Sequence, residues 1–505
     1  MSFQPGNGFP VFLSSILGKQ DFVSAEDVQI NSCSTNAQKV NPGTLFICLR
    51  NEAIRIIEEV EQAMKNGAQA AIIRRNTLSN PIAYAIRQQG SIFEVDEPLT
   101  VFGEVCQALA GNPSKRMKMI AITGTSGKTS LSYLIAGMLA ESGRPVGLIG
   151  SLGVYDGQNL LPVQETTPTA DKLADLLAKM YENGCSHAIV EVSSIGIDQY
   201  RLAGIQFDAI CLTNIKRDHL DYHKTVDQYR RTKMQIFNYA KENAIAICNL
   251  DDRVTEAVLH LIQYPVMTVG MHPTESLVGG MLVEQERTQQ MFYIVAGTDA
   301  VPVQSKIIGN EFVYDCLMTA ALGISWGIDL NTIVRGIERV EHIPGRLERI
   351  DCDQPFGVFV DNANTPESLA ASLRTIRSVT EGSIYCVLSA PNDQDRSKRP
   401  LMGRTAETLC DITVVTTNIN GRRNGTESVN DILQGFESQD KKVRIIPKRS
   451  DAISWVLSNA NPDDCVLIIG NDPLLDDSDK DTFSDRQFVR HWLYENQPCI
   501  ESYWI

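Results

Sequence analysis

The sequence predicts an α/β protein in three domains, and three observations carry that expectation. Its 505 residues are enough for three domains of ordinary size, each with its own core. Short apolar runs of strand length alternate with helix-length segments along most of the chain, the rhythm of βαβ units on parallel sheets. Between residues 119 and 130 one such run ends in a glycine-rich loop that opens a helix, the place where a βα turn cradles phosphate.

The elements follow in chain order. Residues 1–112 hold strand-like runs at 44–49 and 70–73 around a helical pattern at 54–66, a small α/β domain. Residues 111–117 are polar, carry Pro113 and precede the next strand, so they read as a linker. In the second domain, 113–342, the run 119–122 reads as a buried parallel strand and 131–140 as a helix. Further strands are expected at 145–150, 188–192, 209–213 and 244–249, with ligands at their carboxyl ends. A second α/β series opens the third domain, 343–505, with strands at 357–361, 383–389, 412–416 and 465–470.

Composition narrows the function. A formal charge of −15 argues against a nucleic-acid footprint, so phosphate binding must be local. No apolar run reaches the roughly 18 residues that span a bilayer, and the start lacks a basic segment leading into a long apolar one. Twelve cysteines occur without a CxxC pair or a histidine at ligand spacing, which indicates neither a zinc site nor a disulfide framework. They read as small buried hydrophobes in a reducing cytoplasm.

The loop Thr123-Gly-Thr-Ser-Gly-Lys-Thr-Ser130 carries the first chemistry. Gly124 and Gly127 let backbone N–H groups of Thr125, Ser126 and their neighbours face phosphate oxygens, and Lys128 reaches the β/γ-phosphates. Thr129 and Ser130 open the helix, and the Thr129 hydroxyl suits Mg²⁺. Three further segments are polar where a strand ends. Glu191 closes the strand in Ala188-Ile-Val-Glu-Val-Ser-Ser194 and suits a metal ion. Leu212-Thr-Asn-Ile-Lys-Arg-Asp-His-Leu-Asp-Tyr-His223 is dense in metal-holding and ligand-orienting groups. A helix over 226–239 carries Lys233. Alone, each has an ordinary reading as a capped strand end, a polar loop and a solvated lysine. His187, His260 and His491 read as core or surface histidines, and His223 and Lys224 as shaping the loop after His219.

Taken together, these segments resemble the Mur ligase family of ATP-dependent amide-bond ligases, and within it the UDP-N-acetylmuramoyl-tripeptide synthetases that add the third amino acid of the peptidoglycan stem peptide. The phosphate loop, Glu-Val-Ser-Ser194, the 213–223 segment, Asn249-Leu-Asp-Asp252, Pro344-Gly-Arg346 and Asp395-Arg-Ser-Lys-Arg-Pro-Leu-Met-Gly403 all occur in family order. The resemblance implies a nucleotide-sugar-type N-terminal domain, a central phosphate-loop domain and a Rossmann-like C-terminal domain that binds the amino acid. It implies ATP and two Mg²⁺ ions, one held by Thr129 and Glu191 and one by His219, with Lys233 carrying a CO₂-derived carbamate in support. Asp315 takes the place of the adenine-binding asparagine, and Arg346 and Asp361 serve the phosphates and ribose. Thr166, Thr167, Ser193, Ser194, Arg201, Lys398 and Arg399 fall at substrate positions. The implied partners are a UDP-muramoyl dipeptide or an analogue and an amino acid, acted on by a cytoplasmic monomer without nucleic acid or membrane insertion. The implied reaction activates a carboxylate as an acyl phosphate and passes it to an amine.

This chain departs from the family pattern at both substrate ends. Asn36-Ala-Gln38 stands where Asp-Ser-Arg holds the uridine, and no His-Asp-Gly-type segment follows residues 49–51. At the amino-acid end, Asp393-Gln-Asp395, Asn418-Ile-Asn-Gly421 and Gly470-Asn-Asp-Pro473 replace the arginine, DNPR and GKGHE motifs, with Arg422 or Arg423 available from a shifted loop. A glutamine amide does not replace a bidentate guanidinium at equal strength. Ile195, Asn362 and Asn364 stand where relatives carry imidazole or aromatic groups. Three readings stay open: the peptidoglycan ligase, a ligase of the same type for another acid and amine, and an ATP-binding regulatory paralogue.

Overall fold

The computed structural model describes residues 1–4, 9–17, 27–78, 90–389, 395–417, 425–437, 442–470 and 484–496. By contact density the chain forms two compact units. The first holds Met1–Thr123, Gly143–Cys211 and Arg231–Ala246, and the second holds Gly124–Ser142, Leu212–Arg230 and the chain from Ile247 onward.

The first unit begins with a five-stranded sheet in the order Ser2–Phe3, Ser32–Ser34, Thr44–Ile47, Ala70–Arg74, Ile92–Val95, antiparallel at the first pair and parallel after it. Every residue of Thr44–Ile47 is buried. Because side chains alternate along a strand, Leu45 and Ile47 join one apolar cluster with Phe102 and Val105, while Phe46 joins another with Ile56, Val60 and Ala63. A sheet covered on both faces explains why these strands read as unbroken apolar runs. Residues 111–117, read as a linker, include a four-residue helix, Pro113–Arg116, whose buried Ser114 hydroxyl donates to Gln107 at 2.9 Å.

The same unit carries neighbouring strands in the order Leu160–Leu161, Gly153–Tyr155, Val146–Gly150, His187–Val192, Lys118–Thr123, Phe207–Leu212, Ala240–Asn249. His187–Val192 runs parallel to Lys118–Thr123, with Glu191 opposite Ile122 and Val192 opposite Thr123. Both strands therefore deliver their carboxyl ends at one level. Asp208 accepts from the Met119 N–H at 2.8 Å and from the ammonium groups of Lys118 and Lys241 at 2.9 and 2.6 Å, which fixes the register of three strands. The helix expected over 226–239 is α-helical only over Val226–Met234 and tightens to 3₁₀ over Gln235–Tyr239, and the next strand starts at Ala240.

In the second unit, Val266–Gly270 pairs in parallel with Val278–Gln285, which continues into an antiparallel meander through Gln290–Ala296 and Asp299–Ser305. None of these four strands was legible as an apolar run, since each is partly exposed. A six-stranded sheet follows in the order Glu348–Arg349, Gly357–Asp361, Cys465–Ile469, Ile384–Ser389, Ile412–Thr416, Lys442–Ile445. It is parallel except at the Glu348–Arg349 edge. Its faces bury Phe359, Leu388 and Leu467 on one side and Val360, Val387 and Ile468 on the other.

At the carboxyl edge of this sheet Arg449 makes a bidentate pair with Asp485, at 2.7 and 2.5 Å, and also donates to Ser389 Oγ and the Ile469 carbonyl. Both side chains are almost wholly buried. Removing one partner strands a buried charge, so Arg449→Ala is expected to lower stability by about 3–5 kcal/mol. Urea unfolding checks this, and a loss under about 1 kcal/mol would contradict it.

Candidate nucleotide and ligation site

The phosphate loop belongs to the second unit and is held by that unit's own side chains. Gly124 has φ +151° and Gly127 φ +88°, conformations that L side chains rarely adopt. A Cβ on Gly124 would lie 1.8 Å from Thr213 Oγ1, and one on Gly127 would lie 2.9 Å from Asp315 Oδ1. Both glycines are therefore required by space as well as by backbone angle. The Thr213 hydroxyl donates to the Ser126 carbonyl at 2.6 Å, and the Asn214 amide both accepts from the Ser126 N–H at 3.1 Å and donates to its carbonyl at 3.2 Å. Lys128 folds back over the loop, with Nζ donating to the Gly124 and Thr125 carbonyls at 2.9 and 3.1 Å. Thr129 and Ser130 are buried in the first turn of the helix Lys128–Glu141.

Thr125 Oγ1 accepts from the Lys216 N–H and pairs with the Tyr229 hydroxyl, each at 2.9 Å. Burial, aided by the Asp218 carboxylate, pushes the Tyr229 phenol up, so it keeps its proton at neutral pH. Tyr229 also lies edge-on to His223, with ring centroids 5.5 Å apart, and tilted to His219 at 6.5 Å. Losing one hydrogen bond of this kind costs about 1 kcal/mol. Tyr229→Phe is therefore expected to raise the KM for ATP about fivefold at little cost to folding. A KM equal to that of the parent would show that the loop keeps its shape without the hydroxyl.

Several groups distant in sequence from this loop also meet in the second unit. Arg346 Nη2 donates to Thr129 Oγ1 at 3.0 Å. Asp361, at the end of its strand, accepts from the Leu347 N–H at 2.7 Å. Burial, with Glu311 adding, pushes the Asp315 carboxyl well above the ordinary carboxylate range, against the pull of Arg346. Burial also raises Asp361, with Arg346 and the Leu347 N–H pulling back. His219 sits at φ +50° just ahead of a short helix, its Nε2 3.4 Å from Asp218 Oδ2. The other Asp218 oxygen faces the buried Lys398 ammonium at 3.5 Å. Arg399 pairs instead with Asp431 at 3.0 Å. Lys216 and Glu311 line a cleft of about 370 Å³ together with Pro366, Glu367 and Arg374.

The first unit presents a second cluster. Glu191 is fully buried, and its Oε2 accepts from the Ser151 hydroxyl at 3.2 Å. A Cβ on Gly150 would lie 2.1 Å from Glu191 Oε1, so only glycine leaves room for that carboxylate. Thr166 Oγ1 pairs with Ser151 Oγ at 2.9 Å. Thr167 Oγ1 donates to the Glu191 carbonyl and accepts from the Ser193 N–H, each at 2.9 Å. Ser193 then caps the helix Ser194–Asp198 by accepting from the Gly196 N–H. Arg201 donates to the Thr167 carbonyl at 2.6 Å and pairs with Glu165 at 2.7 Å. Ser194 and Lys233 are buried.

Sequence reading missed the residues that hold these groups. Thr213, Asn214, Asp218 and Tyr229 lay in or beside the polar 212–223 segment, which was the available signal, but Ser151 and Gly150 carried none. Asp393, Gln394, Asn418 to Arg423 and Asn471 to Pro473 lie outside the described residues. Among the described residues no three His, Cys, Asp or Glu side chains come together as a metal cage. Mg²⁺ commonly binds through one or two protein oxygens plus substrate phosphates and water, so a site for it needs no such cage.

Comparison with known proteins places the chain. Residues 122–323 match the Mur ligase middle domain and residues 345–471 the Mur ligase glutamate ligase domain. The UDP-N-acetylmuramoyl-L-alanyl-D-glutamate–2,6-diaminopimelate ligase of Bacillus cereus is 31% identical over 472 residues, covering 91% of this chain and 92% of that one. The chain belongs to the Mur ligase family. The Aquifex aeolicus ligase of the same name is 30% identical, covering 92% of this chain and 94% of its own length. Among solved structures, a UDP-N-acetylmuramoyl-L-alanyl-D-glutamate–2,6-diaminopimelate ligase superposes with TM-score 0.67 at 24% identity, covering 92% of this chain and 94% of that one. A Thermotoga maritima MurF ligase in complex with ADP gives 0.61 at 16% identity, covering 92% and 97%. These two share the Mur ligase fold, an α/β architecture with large parallel sheets. The present Mur ligase is accordingly an enzyme of the ATP-dependent, amide-forming kind.

Proposed function

We propose that this Mur ligase is a cytoplasmic, monomeric enzyme that joins the carboxylate of a UDP-muramoyl dipeptide, or an analogue, to the amine of an amino acid. The observation that carries the reading is the phosphate loop with Lys128 folded over it and the Arg346 guanidinium on Thr129. On this reading residues 1–112 would serve the nucleotide-sugar substrate, 113–342 ATP and 343–505 the amino acid. Among the described residues no helix is long and apolar enough to cross a membrane.

Charge decides the mechanism. A substrate carboxylate and the γ-phosphate are both anions, so positive groups must cancel their repulsion before in-line transfer. Lys128 and Arg346 supply fixed charge, and the Gly124–Gly127 backbone supplies N–H donors. Thr129 and Glu191 would hold one Mg²⁺, and His219 with a carbamate on Lys233 the second, adding Lewis-acid neutralisation of the phosphates. The carboxylate oxygen bonds to γ-phosphorus as the bond to ADP breaks, leaving an acyl phosphate. The amine then attacks the acyl carbon, inorganic phosphate departs with the bonding pair, and the amine proton is released. Water competes for the acyl phosphate, so the site must exclude it. Thr166, Thr167, Ser193, Ser194 and Arg201 would orient the acid, with Lys398 and Arg399 on the amine side. Asp361 would take the ribose. Asp315 would take the place of the adenine-binding asparagine, its carboxyl accepting a hydrogen bond from the adenine amino group.

A second reading, a ligase for another acid and amine, gains support from Asn36. Its Oδ1 accepts from the Gln38 N–H at 2.9 Å, capping a short 3₁₀ turn at the position where the uridine contact is expected. Phosphate release with a panel of acids and amines separates the readings. Dependence on UDP-muramoyl dipeptide selects the first and another pair selects the second. Tight ATP binding with no release under any pair would defeat both.

A further inference from the structure

The turn that carries Arg346 is pinned in part from outside the nucleotide site. Leu347, the next residue, has φ +39°, in the left-handed region that a leucine rarely enters, so something must hold it there. Two carboxylates do so. Asp361 takes the Leu347 N–H at 2.7 Å, and Glu348 takes the Gly345 N–H at 3.1 Å through Oε2. Glu348 is buried, and its other oxygen accepts from Arg486 Nη1 at 3.2 Å. Arg486 lies in the first turn of the helix Asp485–Asn496, 138 residues further along the chain. The preceding residue, Asp485, is locked by Arg449, so the helix start is a fixed point.

We propose that Glu348 and Arg486 are positioning residues for ATP. The Arg486–Glu348 pair clamps the strained turn so that Arg346 points at Thr129 in the phosphate loop. The helix Asp485–Asn496 thereby sets the geometry of a phosphate contact that it does not itself make. A buried carboxylate bridging one backbone N–H and one guanidinium has a single orientation, and that orientation is passed to Gly345 and its neighbour Arg346. The inference rests on the phosphate role proposed for Arg346.

The test is a double-mutant cycle on binding of the non-hydrolysable analogue AMPPNP with Mg²⁺, measured by calorimetry on the full chain. Arg346→Ala is expected to weaken binding about ten- to a hundredfold and Glu348→Ala about tenfold. The double variant should bind within about twofold of Arg346→Ala alone, because Glu348 acts only through Arg346. Glu348→Gln keeps an acceptor for the Gly345 N–H and should lose only about threefold, which covers the case in which the alanine variant does not fold. Multiplying losses in the double variant, or parental affinity in Glu348→Ala, would overturn the positioning role. Parental affinity in Arg346→Ala would overturn it together with the phosphate role of Arg346. Because the readout is nucleotide binding, a failure of every acid and amine to release phosphate would defeat the ligase reading while leaving the cycle readable.

Discussion

Lys128→Ala should lower kcat/KM for ATP-dependent phosphate release by about a thousandfold or more, the usual scale for removing a fixed charge from a phosphoryl-transfer site. The side chain already spans the loop, with its ammonium on the Gly124 and Thr125 carbonyls. Bound β- and γ-phosphates would therefore find a cation waiting at the helix N-terminus, with little side-chain reorganisation left to do. The loop itself should survive the substitution, because Thr213, Asn214 and the Lys216 N–H hold it independently. Loss of the two Lys128 contacts should cost about 1–2 kcal/mol of stability, far less than the catalytic loss. Lys128→Arg should rescue poorly, since a planar guanidinium does not replace a compact ammonium above the loop. Phosphate release alongside a melting curve checks both parts. Parental turnover in Lys128→Ala would remove the loop from the chemistry.

The second large effect is expected at Lys233. This lysine lies on the helix Val226–Met234 and is 2% exposed, an unusual setting for a side chain that ordinarily stays in water. Conversion to a carbamate takes one CO₂, forms an N–C bond, releases two protons from the ammonium and turns a cation into a bidentate anion. Lys233→Ala is expected to lose about a hundred- to a thousandfold in ligation, by removing the second-ion support proposed for it. Acetate or formate should restore part of that activity by placing a free carboxylate in the vacated volume. Parental enzyme in CO₂-free buffer should slow and recover on adding bicarbonate. Full ligation by Lys233→Ala would take the lysine out of the mechanism. A loss untouched by carboxylates, paired with a large drop in melting temperature, would make its role structural.

How much of this was legible in advance follows from where each interaction is made. The strands Lys118–Thr123, His187–Val192 and Cys465–Ile469 are buried almost throughout, so they appear in the sequence as apolar runs. Val278–Gln285 and its meander partners each keep residues that are exposed or only partly buried, and no run announces them. The phosphate loop was legible because its glycines, lysine and threonine are contiguous and act through their own backbone. Its supports were not, because Asn214 lies 88 residues from Ser126 and Arg346 lies 217 residues from Thr129.

By itself, then, the sequence determined the α/β class, the order of its motifs and the chemistry of every segment whose working atoms are neighbours in the chain. Only the tertiary structure decided that Asn36 caps its own turn, that Asp218 lies between His219 and Lys398, and that Glu348 and Arg486 brace Arg346. Contacts between side chains far apart in sequence depend on how helices and strands pack, and no local pattern of residues encodes that arrangement.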